Sequence, residues 1–178
     1  MSEKPEMLEV SGTPIAVRHR PGGSPGLVWL GGFRSDMLGT KAEHLDALAD
    51  TLGLAYTRHD YSGHGESGGR FTDGTISKWL DESIAVFERY TTGKQILVGS
   101  SMGGWIALRM VQELNKGGAG DRVAGLVLLA PAPDFTSDLH GPNLTAEQCE
   151  DLERQGYFEE YSEYSPDDPT IFTQALFD

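Results

Sequence analysis

A run of aliphatic residues, Ile96-Leu97-Val98, stops at Gly99, and a helical pattern starts at Met102. Between them stands G-x-S-x-G, with Gly99, Ser101 and Gly103 in the key places. A strand, a tight turn and a helix are the setting that a nucleophile elbow requires. Side chains two residues to either side of the serine would collide with neighbouring backbone, and glycine removes that clash. The same frame chooses between two adjacent serines. Ser101 has glycine on both sides at that spacing, whereas Ser100 has Val98 and Met102. The turn would hold the Ser101 hydroxyl above a sheet at a helix N-terminus, where N–H groups and the dipole favour developing negative charge. The plain alternative is a glycine-rich strand-to-helix turn with no chemistry.

The rest of the chain supplies the sheet. Residues 8–20 read as two short edge strands joined at Gly12-Thr13-Pro14, and residues 21–26 (PGGSPG) as a loop. Residues 27–30 read as a buried strand ending at Gly31-Gly32-Phe33. A helix follows to about Leu52, capped by Thr40, with Ala42, Leu45, Leu48, Ala49 and Leu52 on one face and Gly53 as its stop. Residues 54–60 form the next strand and open into Asp60-Tyr61-Ser62-Gly63-His64-Gly65-Glu66-Ser67. Thr75 or Ser77 caps a second helix, to about Tyr90. The continuous apolar run 123–130 reads as a central parallel strand.

Alternating strands and helices imply a parallel sheet with helices on its faces, an α/β fold. Functional loops of such sheets lie at the carboxyl ends of the strands. Four loops rich in glycine or polar residues fall there: 31–35, 60–67, 100–102 and 131–135. After Asp134 the pattern changes to a polar helix over residues 144–155 with Thr145 as N-cap. An aromatic, turn-rich stretch (Tyr157, Phe158, Tyr161, Tyr164) and a short amphipathic piece at 170–177 follow. Residues 1–133 therefore read as the core and 134–178 as a cap segment laid over the strand ends.

Charge and composition narrow the function classes. The 178 residues carry a formal net charge of −13, which repels phosphate backbones and anionic lipid, so nucleic acid is not an expected partner. The acidic run from Glu147 through Glu159, Glu160, Glu163, Asp167 and Asp168 has no interleaved histidine and reads as a solvated face, with no metal site. No apolar run is long enough to span a membrane, and residues 1–9 lack the apolar region of a secretory signal. The single cysteine, Cys149, excludes an intrachain disulfide and suits a reducing, cytoplasmic setting. No G-x-G-x-x-G follows the first strand, so no dinucleotide and no other cofactor is expected.

These residues together resemble the α/β-hydrolases. The likeness is closer to the group of mycophenolic acid acyl-glucuronide esterase and palmitoyl-protein thioesterase. It is carried by Gly39-Thr40-Lys41-Ala42, Asp60-Tyr61-Ser62-Gly63, Lys78-Trp79 and the stretch from Ile96 to Trp105. The resemblance implies a serine hydrolase acting on acyl esters or thioesters, either small molecules or an acylated protein. By position it makes Ser101 the nucleophile and the N–H groups of Phe33 and Met102 the oxyanion hole. Each such donor contributes roughly 3–4 kcal/mol to the transition state. Neither the acyl group nor an oligomeric state follows from it.

The order of the triad in this fold is Ser, then Asp or Glu, then His. A serine needs that histidine to take its proton and the acid to orient it. The five histidines are ill placed for the task. His19 and His44 read as surface residues, His59 as pointing sideways, His64 as part of the S-G-H-G-E-S loop and His140 as lying at the cap entrance. Asp134 and Asp138 follow the strand after the elbow, where some hydrolases carry the acid, but no histidine follows with a strand beneath it. The expectation is thus a fold incomplete on its C-terminal side, truncated from a hydrolase of roughly 250 residues, with acid and histidine beyond residue 178. The competing expectation is a catalytically inactive homologue that serves as a binding or regulatory module.

Overall fold

The computed structural model describes residues 4–162 and 165–177. The leader reading at residues 1–3 and the Glu163 and Tyr164 members of the acidic and aromatic stretches fall outside them. A six-stranded sheet organises the chain, in the order β1-β2-β4-β3-β5-β6. Its strands are β1 (Glu6–Val10), β2 (Thr13–Arg20), β3 (Gly23–Leu30), β4 (Leu54–His59), β5 (Gln95–Ser100) and β6 (Val123–Leu129). The β4-β3-β5-β6 portion is parallel, and β1 and β2 are antiparallel additions. Helices α1 (Thr40–Leu52), α2 (Ile76–Tyr90) and α3 (Met102–Lys116) connect the strands.

Side-chain alternation along β3 and β5 divides the core into two layers. Val28, Leu30 and Leu97 face α2 and α3, with Trp79, Phe87, Ile106 and Met110. Leu27, Trp29 and Val98 face α1, with Ala42, Ala49 and Tyr56. Burial on both faces is what a parallel sheet requires and explains the apolar runs in these strands.

Several local expectations are corrected. Strand β2 is internal, bonded to β1 and β4, with Ile15, Ala16 and Val17 fully buried. The stretch 21–26 is not all loop, because β3 already starts at Gly23. It pairs there with Leu54, then shifts register before Leu27 meets Tyr56. Glycine and proline leave no side-chain alternation from which to read such an interrupted strand. Thr40 is the first residue of α1 and not its cap; the N-cap is Gly39, which makes no side-chain cap bond. Leu48 and Leu52 are 49% and 59% exposed, while Asp46 turns inward. Asp46 accepts from Arg20 (2.6 Å) and meets Arg58 (3.4 Å), so α1 docks on the sheet through a charge as well as through alanines. Among the described residues β6 lies at the end of the sheet, bonded to β5.

Beyond β6 the chain makes a π-helical turn (Phe135–His140), helix α4 (Ala146–Gln155), strands β7 (Tyr157–Ser162) and β8 (Ser165–Thr173), and the short helix α5 (Gln174–Phe177). Thr145 caps α4 in a reciprocal capping box with Gln148. The aromatic, turn-rich stretch is an antiparallel hairpin of β7 and β8, separate from the main sheet.

Candidate active site

A tight turn at Ser101 joins β5 to α3. Ser101 has φ +53° and ψ −120°, a left-handed backbone that few L-residues adopt, and it is exposed to solvent. Its N–H donates to the Leu129 carbonyl at 3.0 Å, and its own carbonyl accepts from Ala132 N–H at 3.1 Å. The turn is thus tied to the end of β6. The two flanking glycines serve different approaches. A Cβ on Gly99 would lie 2.3 Å from the Gly103 carbonyl oxygen, whereas one on Gly103 would lie 2.1 Å from the Leu30 oxygen. Glycine at both positions lets α3 start directly against β5 and β3.

The loop after β3 lies against the Ser101 turn. A Cβ on Gly32 would stand 3.5 Å from Ser101 Cβ. Phe33 follows, its ring stacked on Phe172 of β8 (centroids 5.5 Å apart) and within 5.1–6.0 Å of Phe71, Phe135 and Trp79. Among the described residues, neither the Phe33 nor the Met102 N–H donates to a protein acceptor. Met102 is the first residue of α3, where N–H groups have no intrahelical partner.

Asp60 pins the neighbouring loops together. It is 1% exposed, and its carboxylate accepts from Met37 N–H (2.6 Å) and Glu66 N–H (2.8 Å). Burial raises its pKa, and the two N–H bonds work against that rise. Glu82 of α2 accepts from Ser62 N–H at 2.9 Å, and burial raises its pKa too. Both carboxylates therefore hold loop backbone.

No histidine among the described residues is hydrogen-bonded to the Ser101 hydroxyl. His19 lies 3.0 Å from Thr57, and His44 lies 2.7 Å from the Thr40 carbonyl. His59 is buried against Ser83 of α2 at 3.2 Å, and burial lowers its pKa to about 4. His64 is buried and accepts from Arg34 N–H. The His140 ring packs at a tilt against Phe172, centroids 4.7 Å apart, and sits 3.9 Å from Glu160. Asp134 is the N-cap of the π-helical turn and Asp138 lies within it, with Asp138 N–H donating to the Asp134 carbonyl; among the described residues neither carboxylate meets a histidine.

Arg34 is the residue that sequence reading passed over. Its guanidinium reaches Asp168 Oδ2 (2.6 Å) and Thr170 Oγ1 (3.0 Å) on β8. A cleft of about 320 Å³ lies beside it, lined by Ser35, Asp36, His64, Phe71, Asp168 and Ile171 among others. The only sequence signal was an arginine two residues after a glycine pair. Its partner lies 134 residues away.

Residues 34–157 match the family model described as serine aminopeptidase, S33. The mitochondrial palmitoyl-protein thioesterase ABHD10 of Bos taurus is 34% identical over 151 residues, covering 85% of this chain and 47% of that protein. The chain thus spans about half the length of the curated relatives it matches. A putative hydrolase from Agrobacterium vitis S4 is 51% identical, with TM-score 0.90 over 98% of this chain and 69% of the other. Mouse alpha/beta hydrolase domain-containing protein 10 is 28% identical, with TM-score 0.82 over 97% of this chain and 67% of the other.

Proposed function

The chain belongs to the serine aminopeptidase S33 family of α/β-hydrolases, and on that premise we propose that it cleaves carboxylic esters or thioesters through an acyl-Ser101 intermediate. Ser101 Oγ adds to the acyl carbonyl carbon and loses its proton to a base. The carbonyl π-electrons move onto oxygen, where the N–H groups of Phe33 and Met102 stabilise the oxyanion. Collapse expels the alcohol or thiol, which takes up the proton. Water then repeats the sequence on the acyl-serine and releases the acid. The steps balance without a cofactor.

One observation carries this reading: an exposed serine on a left-handed backbone at the start of α3, with two N–H groups on the adjoining segments that have no partner among the described residues. Strain of that kind at a solvent-facing serine is a feature of functional turns. Residues 134–178 serve as the cap, with the Phe33 ring seated against Phe172 of the hairpin. The base and its orienting acid are assigned to sequence outside residues 1–178, because no described histidine is bonded to Ser101 and the curated relatives are about twice as long as the matched span. A small acyl ester or thioester is the first substrate class. An acylated protein is the second, on the strength of the relatives named as palmitoyl-protein thioesterases. The lone Cys149 supports a reducing compartment, and the cytoplasm is the one proposed.

The test is turnover of p-nitrophenyl esters and S-acyl thiols, with fluorophosphonate labelling, on the polypeptide as its cell makes it. Ser101→Ala should abolish both labelling and turnover. Retention of either in that variant would remove Ser101 from the mechanism. The second reading, a non-catalytic binding module, is favoured by the missing histidine contact. Wild-type protein that neither labels nor turns over would establish it.

A further inference from the structure

Arg34 stands directly after Phe33 with φ +56°. An arginine holds that left-handed backbone only where neighbours over-determine it. Two sets of contacts do so here. The guanidinium is fixed by Asp168 and Thr170 of β8. The backbone N–H donates to His64 Nε2 at 3.2 Å.

His64 is itself held on its other nitrogen. Nδ1 lies 3.2 Å from the Ser62 carbonyl, which can only accept. One tautomer satisfies both bonds, with the proton on Nδ1 and Nε2 bare. Tyr61, Phe71 and Trp79 pack around the ring at 5.1–5.6 Å, edge-on or nearly so. Burial lowers its pKa. The Ser62 carbonyl pulls the other way, and the positive Arg34 adds to the lowering. Asp36 and Asp168 are the acidic groups that share its cleft.

We propose that His64 is a positioning residue for the oxyanion site: by accepting the Arg34 N–H it fixes the peptide after Phe33, and so aims the Phe33 N–H at Ser101. The role rests on the reading of Ser101 as nucleophile and Phe33 as oxyanion donor. It differs from a base role, because Nε2 is already occupied by a backbone donor. His64 acts on the reaction only through the loop.

Two variants test it, again in the polypeptide as its cell makes it. His64→Phe keeps the ring volume and removes the acceptor. His64→Gln keeps an acceptor oxygen at similar reach and cannot titrate. With p-nitrophenyl acetate, His64→Phe should lower kcat on the order of 10²-fold with KM within about twofold, as loss of an oxyanion donor does. His64→Gln should recover to within about threefold of wild type. Hydrogen exchange at the Arg34 amide should be slow in wild type and His64→Gln and fast in His64→Phe. Ring ¹⁵N spectra should show the Nδ1–H tautomer.

An Nε2–H tautomer, or an Arg34 amide equally protected in His64→Phe, overturns the tether. Turnover that depends on Ser101 yet ignores His64→Phe overturns the positioning role and leaves the nucleophile standing. Turnover that survives Ser101→Ala overturns the nucleophile, and the role of His64 with it, even if the Arg34 amide stays protected. Should His64→Phe fail to fold, the tautomer and the kcat of His64→Gln still decide, since a fall on the order of 10²-fold there contradicts rescue by an acceptor.

Discussion

At Gly103 a methyl group would meet the Leu30 carbonyl oxygen at 2.1 Å and the Gly31 oxygen at 2.5 Å. Both contacts are backbone atoms at the end of β3, which cannot swing aside as a side chain would. Gly103→Ala should therefore destabilise the fold by about 3 kcal/mol, the upper part of the usual range for overpacking. Gly118 is a fair comparison, with φ +78° and nothing within 4 Å of an added methyl. There Ala should cost only about 1–2 kcal/mol of backbone strain. Urea unfolding of the two variants separates close approach from conformational preference; equal losses would discard the first. Glycines at this spacing were legible in the sequence as a steric requirement. Which carbonyls impose it was not, because Leu30 and Gly31 belong to a strand and loop about seventy residues earlier. His59 makes the same point for a titrating group. It reads as a side-pointing residue, yet Ser83 and Tyr61 enclose it, and burial lowers its pKa to about 4. Between pH 4 and 6.5 the unfolded chain holds a proton at this ring that the folded chain does not. Its contribution to stability is present above pH 6.5 and is lost as pH falls towards 4. Asp60 and Glu82, with raised pKa values, act in the opposite sense. The comparison with His59→Gln isolates the histidine: the wild-type slope should exceed the variant's by up to roughly 3 kcal/mol over that window. Parallel slopes would mean that the ring takes up its proton in the folded state.

At the scale of elements, the β7–β8 hairpin shows where pattern reading fails. Its inward face rests on Phe158 and Phe172, stacked at 5.2 Å and 1% and 5% exposed, while Glu159 and Glu160 are exposed and the exposed Asp168 turns to Arg34. One deeply buried ring per strand gives too little alternation to announce a strand. The other half of its packing, Phe33, is supplied by a distant loop. Strands β2, β3, β4 and β5 each bury at least four consecutive residues, which is what makes a strand legible in an apolar run, and α2 and α4 were legible because a threonine caps each. The docking of α1 was misread because Asp46 is inward only by virtue of Arg20 and Arg58 on the sheet. Phe172 also joins the hairpin to the Phe33 loop, so Phe172→Ala should release the hairpin from the loop. Loss of a buried phenyl costs roughly 3 kcal/mol or more. If that loss falls on local opening, cleavage after Glu159 or Glu160 by a glutamate-specific protease should accelerate on the order of 10²-fold while the opening equilibrium governs the rate. An unchanged rate, with the core still folded, would show that the hairpin is held by contacts other than this ring.

For the whole molecule, two opposing terms meet at β6. The strand is bonded to β5, no neighbour lies on its other side among the described residues, and Val127 and Leu129 are 45% and 38% exposed. Its unbroken apolar run reads as a strand covered on both faces and paired on both sides, which is why the sequence suggested a central position. A flat apolar edge is a template for pairing with another chain. Against this stands a net charge of −13, which pushes two copies apart. The two terms respond differently to salt. At about 0.01 M the Debye length is about 30 Å and the repulsion reaches across a molecule of this size; near 0.15 M it shrinks to about 8 Å, while burial of aliphatic surface is undiminished. The 178-residue chain should therefore sediment as a monomer at low salt and associate increasingly as salt rises. Val127→Lys places a charge on the exposed strand and should hold the chain monomeric at both ionic strengths. Association that weakens with salt would assign it to charged contacts elsewhere on the surface. Association unaffected by Val127→Lys would move the contact away from β6.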